Sequence, residues 1–212
     1  MLVVKQNLLK ELFLTALCIS SINAGGAELR SVSVTFEEGR YHLTSETLFG
    51  VSQDDLYAVL IDYELFEKFT SAIVASRNVA PGADGRPRFY TRMEGCILFY
   101  CKTFVRKGYL LLTPKHDIIA VAEPDESDFE YSRERWQLSS QNDDTLMIYK
   151  FEIEPRFWVP PVVGPYFMKR ILQAGAMRAV NRIEALARGE EPCHEHGCIH
   201  TAGTLLASTV RS

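Results

Sequence analysis

Three groups of residues have the types and spacing to do chemistry. The first contains carboxylates and bases with apolar neighbours: Asp62, Glu94, Glu134 and His116 would each titrate abnormally if turned into a core. Glu134 stands out because it shares strand parity with Trp136 and Leu138 and so points inward with them. An inward carboxylate needs a partner, which Arg92 or Arg106 could supply. Together Glu134, Arg92 and Arg106 would orient a bound molecule or form a structural ion pair. Acting as an acid or base, Glu134 would instead serve an enzyme of the cyclase or dehydratase type. No Ser/His/Asp order, nucleophile elbow or phosphate loop accompanies these residues, so no cofactor is expected.

The second group is Cys96 and Cys101, separated by Ile97, Leu98, Phe99 and Tyr100. One strand through 88–112 would exceed the usual length of about 3–10 residues. A reversal near Gly95 is therefore expected, which sets the two cysteines opposite each other within disulfide reach. Two unpaired core cysteines on a bulged strand are the other arrangement. The third group, Cys193, His194, His196, Cys198 and His200, lies within eight residues of the tail. Thiols and imidazoles suit zinc or copper, but the spacing matches no specific metal site. A Cys193–Cys198 disulfide and free thiols are alternatives, and a metal-handling or partner-binding protein acting through the tail is a second functional alternative.

The elements that must position these groups follow from periodicity. Residues 1–24 carry Lys5 and Lys10, a short apolar run from Leu12 to Ile19 and a small-residue end at Ala24, the layout of a secretory signal peptide. The run is too short to span a bilayer, which takes about 20 apolar residues. Residues 32–188 read as one domain and 189–212 as a flexible tail. Strands at 32–36 and 41–49 flank a turn at Gly39, and Ser52 to Asp55 caps a helix whose apolar face is Leu56, Val59, Leu60 and Tyr63. A short helix follows near 63–69. Strands near 73–79, 88–95, 101–112, 117–123, 130–138 and 145–154 then form an antiparallel meander. After Pro165 a long amphipathic helix carries Phe167, Ile171, Leu172, Gly175, Ala179 and Ile183 on one stripe. The fold class is α+β. Of the 212 residues, 27 are acidic and 23 basic, giving a formal charge of −4, so no basic field exists to hold nucleic acid.

Strand, two helices, meander and closing helix is the order of the helix-grip fold: a curved antiparallel sheet of about seven strands wrapped around a long C-terminal helix. Residues 59–69, 132–138 and 145–155, with the terminal helix, resemble the START-like superfamily, in particular its polyketide cyclase and coenzyme Q-binding branch. The resemblance implies a cavity for a lipid, an isoprenoid quinone or a polyketide-like molecule; since the fold hosts carriers and enzymes alike and no catalytic motif is present, binding or transfer without catalysis is the leading expectation. Its expected lining is Trp136, Leu138, Met147, Tyr149, Phe151 and Ile153 from the sheet, with Phe167, Ile171 and Gly175 from the helix. The leader implies a periplasmic or secreted protein with oxidised cysteines. Alternating meander connections place the reversal at 96–100, the turn at 124–128 and the segment 155–164 at one end. Phe99, Tyr100, Phe157 and Trp158 there are expected either to touch a bilayer or to fold inward and plug the mouth.

Overall fold

In the computed structural model, the described residues are 26–97, 100–157 and 164–192. Eight strands form one sheet: β1 (Glu28–Glu37), β2 (Arg40–Phe49), β3 (Ile73–Val79), β4 (Arg88–Ile97), β5 (Tyr100–Thr113), β6 (Asp117–Ala122), β7 (Phe129–Gln141) and β8 (Asp144–Pro155). The order is β1-β2-β8-β7-β6-β5-β4-β3, and every neighbouring pair is antiparallel. The strands from β3 to β8 are the expected meander. The first hairpin joins beside β8, which brings the sheet to eight strands. β1 begins at Glu28, four residues before the alternation becomes visible. Its turn to β2 uses Glu38 and Gly39 at φ 51° and 84°, the left-handed pair that a two-residue hairpin needs.

Three helices complete the domain: α1 (Gln53–Ile61), α2 (Phe66–Phe69) and α3 (Gly164–Ala187), with a 3₁₀ turn at Tyr63–Leu65 between the first two. Ser52 caps α1 by accepting from the Asp55 N–H at 3.2 Å, and Asp54 and Asp55 place negative charge in the first turn. Two carboxylates of the helical segment close the outer edge of β3. Glu67 accepts from the Ser76 N–H at 2.8 Å and Glu64 from the Asn78 N–H at 2.9 Å. Donors that would otherwise template a further strand are thereby satisfied.

The C-terminal half of α3 is the anchored half. Val180, Ile183 and Glu184 are buried. The Glu184 carboxylate accepts from the Gly50 N–H at 2.9 Å and from the Ala27 N–H, and pairs with Arg188 at 2.8 Å. One buried side chain thus ties the helix to the start of β1 and to the link between β2 and α1. In the first half of the helix, Tyr166, Arg170 and Gln173 are exposed.

Candidate ligand site on the concave face

Apart from register shifts near Leu29, Ile73 and Phe129, side chains alternate along the strands, and one face of the sheet is turned toward the helices. Phe89, Thr91 and Met93 of β4 point to that concave face, as do Phe104, Arg106, Gly108 and Leu110 of β5, and Ser132, Glu134, Trp136 and Leu138 of β7. Met147, Tyr149, Phe151 and Ile153 of β8 join them. The apolar members gather into two clusters. The larger contains Phe49, Leu56, Leu60, Tyr63, Phe66, Phe89, Trp136, Leu138 and Met147, and is filled from above by α1 and α2. The smaller, toward the β4–β5 hairpin, contains Tyr41, Phe129 and Ile153, with half-buried Met93, Phe104, Phe151 and Phe157 against it.

A belt of polar side chains runs between the clusters. Ser76, Thr91 and Arg106 stand in one register row across β3, β4 and β5. The Arg106 guanidinium donates to Ser132 Oγ at 2.9 Å and to Glu134 Oε2 at 3.0 Å, and Tyr149 OH donates to Glu134 Oε1 at 2.8 Å. Arg106 is 3% and Glu134 7% exposed, so this ion pair is desolvated. The guanidinium also lies over Phe89 at 5.6 Å and Phe151 at 5.1 Å, touching one ring from each cluster. Desolvation opposes the charge on Arg106, but the Glu134 charge and hydrogen bond, together with Tyr63 and Tyr149, outweigh it and the pKa is raised.

Two tyrosines border the belt. Burial, reinforced by the Glu134 charge, pushes both Tyr63 and Tyr149 well above the ordinary phenol range. Tyr63 is fully buried, stacked on Phe66 at 4.0 Å and on Phe89 at 4.6 Å. Tyr149 sits 5.5 Å from the Trp136 ring. It is strongly desolvated yet keeps accessible surface.

The structure brings Arg106 to Glu134 but leaves Arg92 out. Arg92 is exposed on the convex face, because Phe89, Thr91 and Met93 take the inward parity of β4. Glu94 shares the outward side, and His116 is exposed beside Gln53 Nε2 at 3.0 Å. Asp62 caps the 3₁₀ turn through the Glu64 N–H at 3.1 Å and accepts from Asn78 Nδ2 at 2.9 Å. Gly175 lies on the α3 face shared with Ile183, and an added Cβ there would meet nothing within 4 Å among the described residues. The side chains of Phe167 and Ile171 lie outside the described residues.

At the far end, Asp128 N–H donates to Val105 O at 3.0 Å and Arg156 N–H to Asp128 O at 3.1 Å, so the turn at 124–128 and the exit of β8 meet beside β5. Phe157 turns inward, stacking on Phe104 at 4.4 Å under Lys102 Nζ at 4.6 Å. For Phe157 this inward contact is the one the plugging alternative expects. Phe99 and Trp158, like the Tyr100 side chain, lie outside the described residues. Cys96 and Cys101 are register partners in the β4–β5 hairpin, whose reversal falls between Ile97 and Tyr100, two residues beyond Gly95. Among the described residues no three His, Cys, Asp or Glu side chains could hold a metal ion. Cys193, Cys198 and the three tail histidines lie outside them.

Thr91, Ser132 and Tyr63 are the site residues that sequence reasoning passed over. Parity marks the first two, Thr91 sharing a face with Phe89 and Met93 and Ser132 with Glu134, Trp136 and Leu138. Tyr63 reads as one more apolar position on its helical face.

A curved antiparallel sheet holding a long C-terminal helix, with short helices after the first hairpin, is the START-like fold. Solved structures share it. A START superfamily protein from Mycobacterium smegmatis aligns at 17% identity with TM-score 0.55, over 70% of this chain and 97% of its own. A STAR-related lipid transfer protein fragment from Xanthomonas axonopodis aligns at 17% identity and TM-score 0.55, over 77% and 99% of the two chains. Human STARD10 aligns at 13% identity and TM-score 0.54, over 74% and 75%. At these identities the likeness is one of fold. No family profile matches the chain, and no curated protein does.

Proposed function

We propose that this protein binds and carries an apolar small molecule, a lipid or an isoprenoid quinone, between the concave sheet face and α3, without transforming it. The observation that carries the reading is the concave face itself, two aromatic clusters divided by the buried Arg106–Glu134 pair, with Tyr149 at their border. Apolar walls with a few convergent polar groups are the usual composition of a small-molecule site. The lipid transfer protein among the structural neighbours supports the choice of ligand class.

Export belongs to the same proposal, resting on the leader-like residues 1–24. So does a Cys96–Cys101 disulfide, supported by their register and by the bonded state of Cys101. Bilayer contact would then fall to Phe99, Tyr100 and Trp158, and vesicle co-sedimentation with Phe99→Ser and Trp158→Ser combined tests it. For the central reading, the test is native mass spectrometry of protein purified gently from its own host, together with uptake of the hydrocarbon probe diphenylhexatriene. A co-purifying apolar molecule and saturable uptake are expected. A protein that carries nothing and takes up no probe would overturn the proposal.

A further inference from the structure

The polar belt has an imbalance that the ion pair does not resolve. Among its buried atoms, Tyr63 OH and Thr91 Oγ1 have no hydrogen-bond partner among the described residues. Both residues are essentially inaccessible, Tyr63 at 0% and Thr91 at 1%. A buried hydroxyl left unpaired costs about 1–3 kcal/mol, so a native fold rarely keeps two in one region without use for them. They approach the belt from opposite sides. Thr91 is the register partner of Arg106 on the sheet. Tyr63 descends from the helical layer and stacks on Phe89, two residues from Thr91 on the same face of β4.

The rest of the belt limits what these hydroxyls can hold. Both Glu134 oxygens are engaged, one by Arg106 and one by Tyr149. An entering ammonium or amide donor would therefore compete with bonds that each Glu134 oxygen already makes. The charges of Arg106 and Glu134 cancel, so an entering carboxylate or phosphate would leave the desolvated belt with a net negative charge. The Tyr63 phenol stays protonated at neutral pH, since burial and then the Glu134 charge raise its pKa. What remains unmet is two hydroxyls beside a neutral ion pair, and a carbonyl oxygen, with two lone pairs and no charge, is a group that can take both of their protons.

We propose that the Tyr63 and Thr91 hydroxyls form a subsite for a neutral oxygen acceptor, so that the apolar ligand carries a carbonyl group, a ketone, quinone or ester, which docks against the belt. This rests on the ligand-binding reading above and narrows it. Ionised headgroups are excluded from the belt by its charge balance.

The test uses the intact protein, Tyr63→Phe, Thr91→Val and the double variant, with three probes: the ketone laurdan, the hydrocarbon diphenylhexatriene, and cis-parinaric acid beside its methyl ester. Loss of one hydrogen bond weakens binding about fivefold, so the double variant should bind laurdan roughly 25-fold less tightly. Its bound laurdan should also emit further to the blue, as the carbonyl loses its donors. Diphenylhexatriene affinity should not change, and wild type should prefer the methyl ester to the acid. Thermal unfolding of the empty variants should be unchanged or shifted upward, because the substitutions delete unpaired buried hydroxyls. Laurdan affinity and emission that ignore the substitutions would overturn the inference, as would equal losses for the hydrocarbon or a preference for the free acid. Wild type that takes up no diphenylhexatriene would instead overturn the ligand-binding reading on which the inference stands.

Discussion

Arg106 of β5 and Glu134 of β7, 28 residues apart in sequence, meet at 3.0 Å on the concave face, with Ser132 and Tyr149 holding the remaining sides of the pair. The contact is the polar centre of a face otherwise lined by rings. Its energetics follow from burial rather than from attraction alone.

Removing either partner leaves the other charge desolvated and uncompensated, which costs about 3–5 kcal/mol. Arg106→Met and Glu134→Leu should each lower stability by that order in urea unfolding. Combined, they should recover much of the loss, because an apolar pair of similar volume relieves the desolvation. Additive losses would show that the two residues do not act as a pair.

The tyrosines add a pH signature. Tyr63 and Tyr149 have folded-state pKa values raised above the ordinary value of 10.0, first by burial and then by the Glu134 charge. The folded protein therefore holds phenol protons that the unfolded chain releases. Below about pH 10 both states are protonated and the two groups leave stability independent of pH. From there upward stability falls until the folded pKa values are reached. Phenolate absorbance should show these two tyrosines ionising only as the protein unfolds. Tyr63→Phe should make the alkaline loss of stability shallower, and an unchanged slope would sink the assignment.

Much of this face was legible as alternation. Trp136, Leu138, Met147 and Ile153 occupy one parity among polar neighbours, and all four are buried on the concave side. Glu134 follows from the same rule, and so does Arg106 between Phe104 and Gly108. Arg92 failed on a parity that Phe89, Thr91 and Met93 already carried; proximity to the central strands was the wrong criterion. The orphaned hydroxyl of Tyr63 was not legible at all. An aromatic residue on an apolar helical face is read as core, and whether its oxygen finds a partner depends on which strands lie beneath it. The strand count depended likewise on a long-range choice, the pairing of β2 with β8, which no local pattern specifies.

Two glycines separate packing from binding. At Gly108 a Cβ would fall 1.9 Å from Val121 O and 2.8 Å from Ala122 Cα, so β5 and β6 approach too closely for any side chain. Gly108→Ala should destabilise by on the order of 1–3 kcal/mol or more, since the obstacle is backbone and cannot turn aside. At Gly175 a Cβ meets nothing within 4 Å among the described residues. Gly175→Ala should be neutral or stabilising by about 1 kcal/mol through helix propensity alone. Gly175→Leu extends a larger group into the same open space on the α3 face shared with Ile183. It should leave thermal unfolding intact and reduce diphenylhexatriene uptake, because the side chain occupies volume the probe needs. A Gly175→Leu protein that stays folded and takes up the probe as wild type does would put the ligand elsewhere than beneath the middle of α3.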